Sequence, residues 1–317
     1  MGAPAALPHT VQAHCRPVRA DLVHSGPDPV RRRAGAGLRH AVAGQLEQPQ
    51  RYPAPAAGTA LSPLVDSHCH LDASEFDADR AAVIERAGAA GVRAQVVPAV
   101  TAESWPKLRE VCRLAPGLYP AYGLHPMFLA EHQPGHLPLL REWIERERPC
   151  AIGECGLDFF VEGLDAEAQQ AYFIGQLELA REFELPVIVH ARRAVDAVIA
   201  AIRRIGGLRG VVHSFSGSPE QAAQLHRQGF LLGLGGPLTY DRAQRLQRLV
   251  REMPLEQLLL ETDAPDQPDA GIRGQRNEPA RLAIIARHVA ALRGMEPDAV
   301  AQATTANARR LFALPAM

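Results

Sequence analysis

Eight short apolar runs, each closed by glycine, proline or polar residues, recur between residues 64 and 262. They occupy 64–67, 92–98, 118–123, 151–154, 187–190, 210–213, 230–234 and 258–262. Runs so short and so uniformly apolar read as parallel strands covered on both faces. Longer amphipathic stretches separate them. In 167–183, Ala171, Ile174, Leu177 and Leu179 fall on or near one stripe, with Glu and Arg elsewhere. The stretches 195–205, 220–228, 241–251 and 279–293 read the same way. Ser218-Pro219-Glu220 is a helix start, with the serine as cap and proline at the first helical position. Such alternation over about 250 residues predicts an α/β fold of the (β/α)8 barrel type. A doubly wound open sheet shares the alternation, but no Gly-x-Gly-x-x-Gly follows the first run.

The charge balance divides the chain. The formal net charge of the 317 residues is −1. Residues 1–62 hold seven arginines against three acids, +4, which leaves 27 basic against 32 acidic residues, −5, for the remainder. With eight prolines, six glycines and no sustained apolar period, 1–62 reads as a disordered, non-catalytic basic extension. The expected folded domain is 63–317. No apolar h-region of a secretory signal follows the N-terminus. No run approaches the ~18 apolar residues of a membrane span, so no membrane partner is expected. A net charge near zero excludes a polyelectrolyte binder of nucleic acid. Five cysteines without a framework spacing point to a reduced, cytoplasmic chain. No obligate protein partner is evident.

A barrel of this kind builds its site at the C-terminal ends of its strands. Five of the nine histidines after residue 62 fall there: His68, His70, His125, His190 and His213. Glu154 and Asp263 join them from the fourth and eighth runs. Residues two apart on a strand share a face, so His68 and His70 are expected to grip one ion together. Cys69 between them faces away and reads as a small buried hydrophobe. Imidazole and carboxylate are ordinary ligands of first-row metals. The set suits two divalent ions, with Mg, Mn and Zn all open. Lys107, the single lysine of the chain, lies in a helical stretch, which excludes a modified lysine as a bridge on strand four. Glu154 stands at that strand end, and a carboxylate bridges two cations without modification. The reading is that His68, His70, Glu154 and Asp263 hold one ion and Glu154, His190 and His213 the other. Asp263 would orient the shared water and take its proton.

These residues sit in stretches that resemble the TatD family of metal-dependent hydrolases. The stretches are Val65-Asp66-Ser67-His68-Cys69-His70-Leu71-Asp72, Gly123-Leu124-His125-Pro126, Ile152-Gly153-Glu154-Cys155-Gly156-Leu157-Asp158, Val212-His213-Ser214-Phe215-Ser216-Gly217 and Glu261-Thr262-Asp263-Ala264-Pro265. Order and spacing agree from about Leu64 to Pro315. The resemblance implies a TIM barrel of the amidohydrolase type and a Mg- or Mn-dependent deoxyribonuclease, often 3′→5′ on single strands. It also implies that His68, His70, Glu154, His190, His213 and Asp263 are the ligands. Arg193 and Ala264 depart from the common family pattern, which has Asp and Ser there, and are closer to its YjjV-type branch.

Several side chains carry a functional reading beside a plainer one. Arg192 is placed to hold a phosphate, or forms a rim salt bridge. Arg193 should point the other way. His125 donates to a substrate oxygen, or supports a ligand from behind. Asp158 orients a ligand or caps a loop. Asn277 follows a glycine-containing loop after strand eight that is expected to line the substrate cleft. Gly233-Leu234-Gly235-Gly236 reads as close strand packing beside the site rather than a phosphate loop. Three functions stay open: a nuclease acting at DNA ends, a hydrolase of another ester such as aminoacyl-tRNA or a small phosphoester, and a non-catalytic binding barrel.

Overall fold

The computed structural model describes residues 61–316. The extension read at 1–62 lies outside the described residues except for Leu61 and Ser62, and Cys15 and Arg31-Arg32-Arg33 fall outside with it. Among the described residues, eight parallel strands follow one another in chain order around a single sheet. They are β1 (Leu64–Asp66), β2 (Val92–Pro98), β3 (Leu118–Tyr122), β4 (Ala151–Asp158), β5 (Val187–Arg192), β6 (Gly210–Val212), β7 (Phe230–Leu234) and β8 (Leu258–Leu260). The connecting helices are α1 (Arg80–Ala89), α2 (Trp105–Cys112), α3 (His136–Glu147), α4 (Ala166–Glu182), α5 (Val195–Ile205), α6 (Pro219–Arg227) and α7 (Gln244–Glu252). After β8 come α8 (Leu282–Arg293) and α9 (Pro297–Phe312). The seam between β1 and β8 is bridged by backbone hydrogen bonds. Ser67 N donates to Leu260 O at 3.0 Å, and Asp263 N donates to His68 O at 2.9 Å. The fold is the expected (β/α)8 barrel.

Strand residues alternate between two apolar layers. Val187 and Val189 of β5 face outward into the core shared with Phe173 and Leu177 of α4. Ile188 between them packs inside the barrel with Val65, Ala94, Val96, Val211 and Leu259. Ala308, Leu311 and Phe312 of α9 belong to this inner group, so α9 closes the end where the strands begin. Asn307 completes that closure, donating to Leu255 O and Leu258 O at 2.9 Å each. The opposite end is left for the strand termini and their polar side chains.

Helix signals worked as their chemistry requires. Ser218 Oγ accepts from Gln221 N, Gln221 Oε1 accepts from Ser218 N, and Pro219 opens α6. Several boundaries differ from expectation. β4 runs on to Asp158, because its second half keeps pairing with β5 as far as Arg192. Residues 241–243 precede α7 as an irregular turn, and 279–281 form a short 3-10 turn before α8.

Phe173 is fully buried between α4 and the sheet. Phe173→Ala is expected to cost about 3–5 kcal/mol of stability, as large-to-small core changes do. Denaturant unfolding measures this, and a loss within about 1 kcal/mol would show that α4 does not carry the outer core.

Candidate metal centre

Inner residues of the strands determine which terminal side chains enter the barrel mouth. His190, His213 and Glu261 each follow an inner residue, Ile188, Val211 or Leu259, by two positions and so share its face. β4 departs from this parity. Its register against β5 shifts between Ile152 and Cys155. Cys155 and Leu157 therefore join the outer core, while Glu154 turns inward. The crossing needs glycine on β4's other neighbour: a Cβ on Gly123 would lie 2.5 Å from the Gly153 carbonyl carbon.

His68 and His70 reach the same point by a different route from the one expected. β1 ends at Asp66, so a strand pleat does not align them. They sit in the loop beyond it. That loop is tied down where His68 N donates to Asp66 Oδ1 (3.3 Å), Cys69 N to Val96 O (3.1 Å) and His70 N to Ala264 O (2.8 Å). The two Nε2 atoms still converge to 3.1 Å, with the rings at 82°. Cys69 is buried and directed at the Ala264 carbonyl, away from them.

Glu154 divides this assembly in two. Its Oε2 lies 3.2 Å from His68 Nε2 and 3.4 Å from His70 Nε2. Asp263 Oδ1 faces the same two nitrogens at 3.4 and 3.6 Å. The other oxygen, Oε1, lies 2.8 Å from His213 Nε2, 3.1 Å from His190 Nδ1 and 2.8 Å from His125 Nε2. Burial pushes the Glu154 carboxyl up, but His125, His213 and His68 around it pull it well below the usual carboxylate range. In return Glu154 raises His213 to about 10 against the effect of burial.

The residues present fit divalent cations. His68 Nε2 faces His70 Nε2, and His190 Nδ1 faces His213 Nε2 at 3.2 Å. Two N–H groups cannot point at each other at such distances, so each pair presents a lone pair to the centre. Lone pairs converging beside a buried carboxylate are what a metal ion satisfies. Among the described residues three groups could hold an ion: His68, His70 and Glu154; His125, Glu154 and His190; and His68, His213 and Glu261. Tautomer argues against His125 as a ligand. Its Nδ1 accepts from Met127 N at 3.1 Å, so its Nε2 carries the hydrogen and is a donor.

The supporting groups are partly those expected. Asp158 Oδ2 accepts from His190 Nε2 at 2.9 Å, which leaves the Nδ1 lone pair for the centre. Its Oδ1 accepts from Phe160 N and Val161 N, so the same carboxylate also caps the loop. Asp263 adopts a left-handed φ of +56°, a conformation costing a non-glycine residue about 1–2 kcal/mol. Gln267 donates to its Oδ2. Glu261 had no role assigned from sequence. It is buried beneath His213 and accepts from Ser214 N. Gly233 makes room for it, since a Cβ there would lie 2.0 Å from Glu261 Oε2. Asp66 was also missed. It accepts from Thr262 N at 3.0 Å and from Thr262 Oγ1 at 2.6 Å, pinning β1 to the residue before Asp263. Nothing in the isolated sequence separates these acids from surface ones.

A cleft of about 760 Å³ opens above the centre, lined by His125, Met127, Phe128, Glu154, Arg192 and Asp263 among others. Arg192 is exposed and lies over the Phe160 ring at 3.7 Å, with Arg193 over the same ring at 4.6 Å. Among the described residues no carboxylate pairs with Arg192, so the rim salt bridge is absent. Asn277 does not line the cleft. It is fully buried and donates to Thr262 O and Asp266 O at 2.8 Å each, so it braces the loop from behind. Lys107 sits on α2, paired with Asp77 at 2.9 Å.

Residues 65–313 match the family described as TatD related DNase. The chain belongs to the TatD family. It is 40% identical over 256 residues to the uncharacterised metal-dependent hydrolase YjjV of Escherichia coli K12, covering 80% of this chain and 98% of that one. It is 35% identical over 251 residues to the uncharacterised metal-dependent hydrolase YabD of Bacillus subtilis 168, covering 78% and 98%. The crystal structure of the E. coli YjjV, a TatD homologue, superposes with a TM-score of 0.76 at 39% identity, covering 80% of this chain and 98% of that one. This TatD chain is a metal-dependent hydrolase. No helix among its described residues is long and apolar enough to cross a membrane.

Replacing Asp158 by Asn removes the charge that holds His190. Asp158→Asn is expected to lower metal affinity about 10–100-fold, as loss of a ligand's supporting carboxylate does, with the fold intact. Metal content after dialysis against graded chelator reads this, and unchanged retention would remove Asp158 from the ligand's support.

Proposed function

We propose that this chain is a deoxyribonuclease that trims single-stranded DNA from its 3′ end, using two divalent ions that Glu154 would help to hold. The division of Glu154's two oxygens between separate sets of imidazoles carries the reading. His68, His70 and Asp263 would complete one site, and His190 and His213 the other. The ions, Mg, Mn or Zn, would supply an activated water and neutralise charge on the phosphate.

The chain's own residues do the remaining work. Asp263 stands beside the His68–His70 pair, oriented by the Gln267 amide on its other oxygen, and takes the proton of the attacking water. His125 keeps its hydrogen on Nε2 through the Met127 contact, and donates to the leaving or non-bridging oxygen. Arg192, without a carboxylate partner among the described residues, holds a phosphate oxygen. Exposed Met127 and Phe128 at the rim give the terminal base an apolar surface. The −5 charge outside residues 1–62 disfavours long duplexes. An enzyme that meets one strand end needs few phosphate contacts and tolerates that balance.

The test is a 5′-labelled single strand incubated with metal-loaded protein, its products mapped by length. Stepwise shortening that chelator stops is the expected result. A strand left intact over hours sinks the reading, and a parallel panel of phosphoesters and aminoacyl-tRNA then identifies the ester cleaved. Glu154→Ala should abolish cleavage and empty the protein of metal. Asp263→Ala should abolish cleavage with a smaller loss of metal. Full activity in either variant removes that residue from the chemistry.

A further inference from the structure

A second cavity, of about 550 Å³, adjoins the main cleft on the β7–β8 side. Ser216, Pro237, Leu246 and Gln267 line both, so a chain lying in the main cleft passes into the second without leaving the protein surface. Its volume falls within the range of about 300–1,000 Å³ usual for small-ligand sites. Its distinctive lining is Tyr240, Arg242 and Arg245. Among the described residues no carboxylate lines it, although the barrel as a whole is acidic.

The tyrosine is held in place. Its hydroxyl donates to Pro268 O at 3.0 Å, which fixes the half-buried ring between the β7 and β8 loops. The guanidinium groups of Arg242 and Arg273 lie over the ring at 5.4 and 5.9 Å. The ring is therefore already used as a stacking surface for flat cations. Arg245 is anchored through hydrogen bonds from its Nη2 to Ser216 O and Gly217 O, at the wall shared with the main cleft. Among the described residues neither Arg242 nor Arg245 has a carboxylate partner. A flat aromatic ring between unpaired guanidinium groups, beside a phosphate-cleaving centre, has the chemistry of a single-stranded nucleotide site: base on ring, phosphate on arginine.

We propose that this cavity is a second nucleotide subsite, holding the nucleotide next to the one whose phosphate lies at Glu154. It rests on the nuclease reading above and adds to it that the enzyme grips two adjacent nucleotides of an unpaired strand. A paired base would have its face covered by its neighbours, so the subsite selects single strands.

The experiment is fluorescence anisotropy with labelled, phosphorothioate-linked oligothymidylates, which resist cleavage, on the protein with its retained metal. A mononucleotide, a dinucleotide and a hexanucleotide are compared. Binding should tighten sharply from one nucleotide to two. Tyr240→Ala should weaken the dinucleotide about tenfold, a stacking contact's worth, and the mononucleotide much less. Tyr240→Phe keeps the ring and should stay near the parent. Joint loss of Arg242 and Arg245 should flatten the salt dependence. Equal affinity for one and two nucleotides, an unaffected Tyr240→Ala, or a Tyr240→Phe as weak as alanine overturns the subsite. Failure of the nuclease reading shows separately, as an unmodified strand that is bound through Tyr240 but never cut.

Discussion

A buried carboxylate ringed by imidazoles is the constraint around which the barrel mouth is arranged. Glu154 is almost wholly excluded from water, and an isolated charge there would cost several kcal/mol. Five imidazoles from the ends of four strands surround it, and their partial positive character makes its ionised state tenable. The demand runs backward into the fold. Glu154 faces inward because β4 slips register against β5, and the slip is sterically open because Gly123, the residue after β3, carries no Cβ at the crossing. Chemistry at the mouth and backbone irregularity below it are one feature.

The seam of the barrel solves a second part of the same problem. A sheet that closes must pair its first and last strands, and here both are three residues long. Backbone pairing over so short a length is supplemented by Asp66, which accepts both donors of Thr262. Burial raises the Asp66 carboxyl to about 7 despite those bonds, so the clamp is held in a poorly solvated position. It places His68 and Asp263, from opposite ends of the domain, side by side, with Asp263 Oδ1 3.4 Å from His68 Nε2. Asn277 reinforces the arrangement from outside the cleft by tying the loop after β8 to Thr262.

How legible this was depended on which force set each feature. The strands were readable because a parallel sheet buries both faces, and apolar runs record that directly. Histidines at strand ends were readable because barrel topology sends those ends to one place. His68 and His70 were paired for a reason that does not hold: a loop, fixed by two backbone hydrogen bonds and one to the Asp66 carboxylate, does what the pleat was expected to do. Asn277 was misassigned because a loop beside a cleft has an inner and an outer face, and only tertiary contacts distinguish them. Glu261 and Asp66 were passed over because their roles come from burial. Gly233 was the available signal for Glu261, since a glycine in a strand marks a close approach, but it does not say to what.

Average properties were the weakest guide to the surface. Aromatic residues are only 5% of the chain, which argues against an extended stacking platform for single strands. That conclusion holds for the whole surface but not for the mouth. Phe128 lines the cleft, exposed Phe160 lies under the cleft residue Arg192, and Tyr240 lines the adjoining cavity, each within reach of a cation or an imidazole. The same is true of charge. A net negative barrel places Arg192 in the cleft above Glu154 and Arg242 and Arg245 in the cavity beside it, none of them with a carboxylate partner among the described residues. Screening limits charge effects to about 8–10 Å at ordinary salt, so an anion entering there would respond to these arginines rather than to the distant sum.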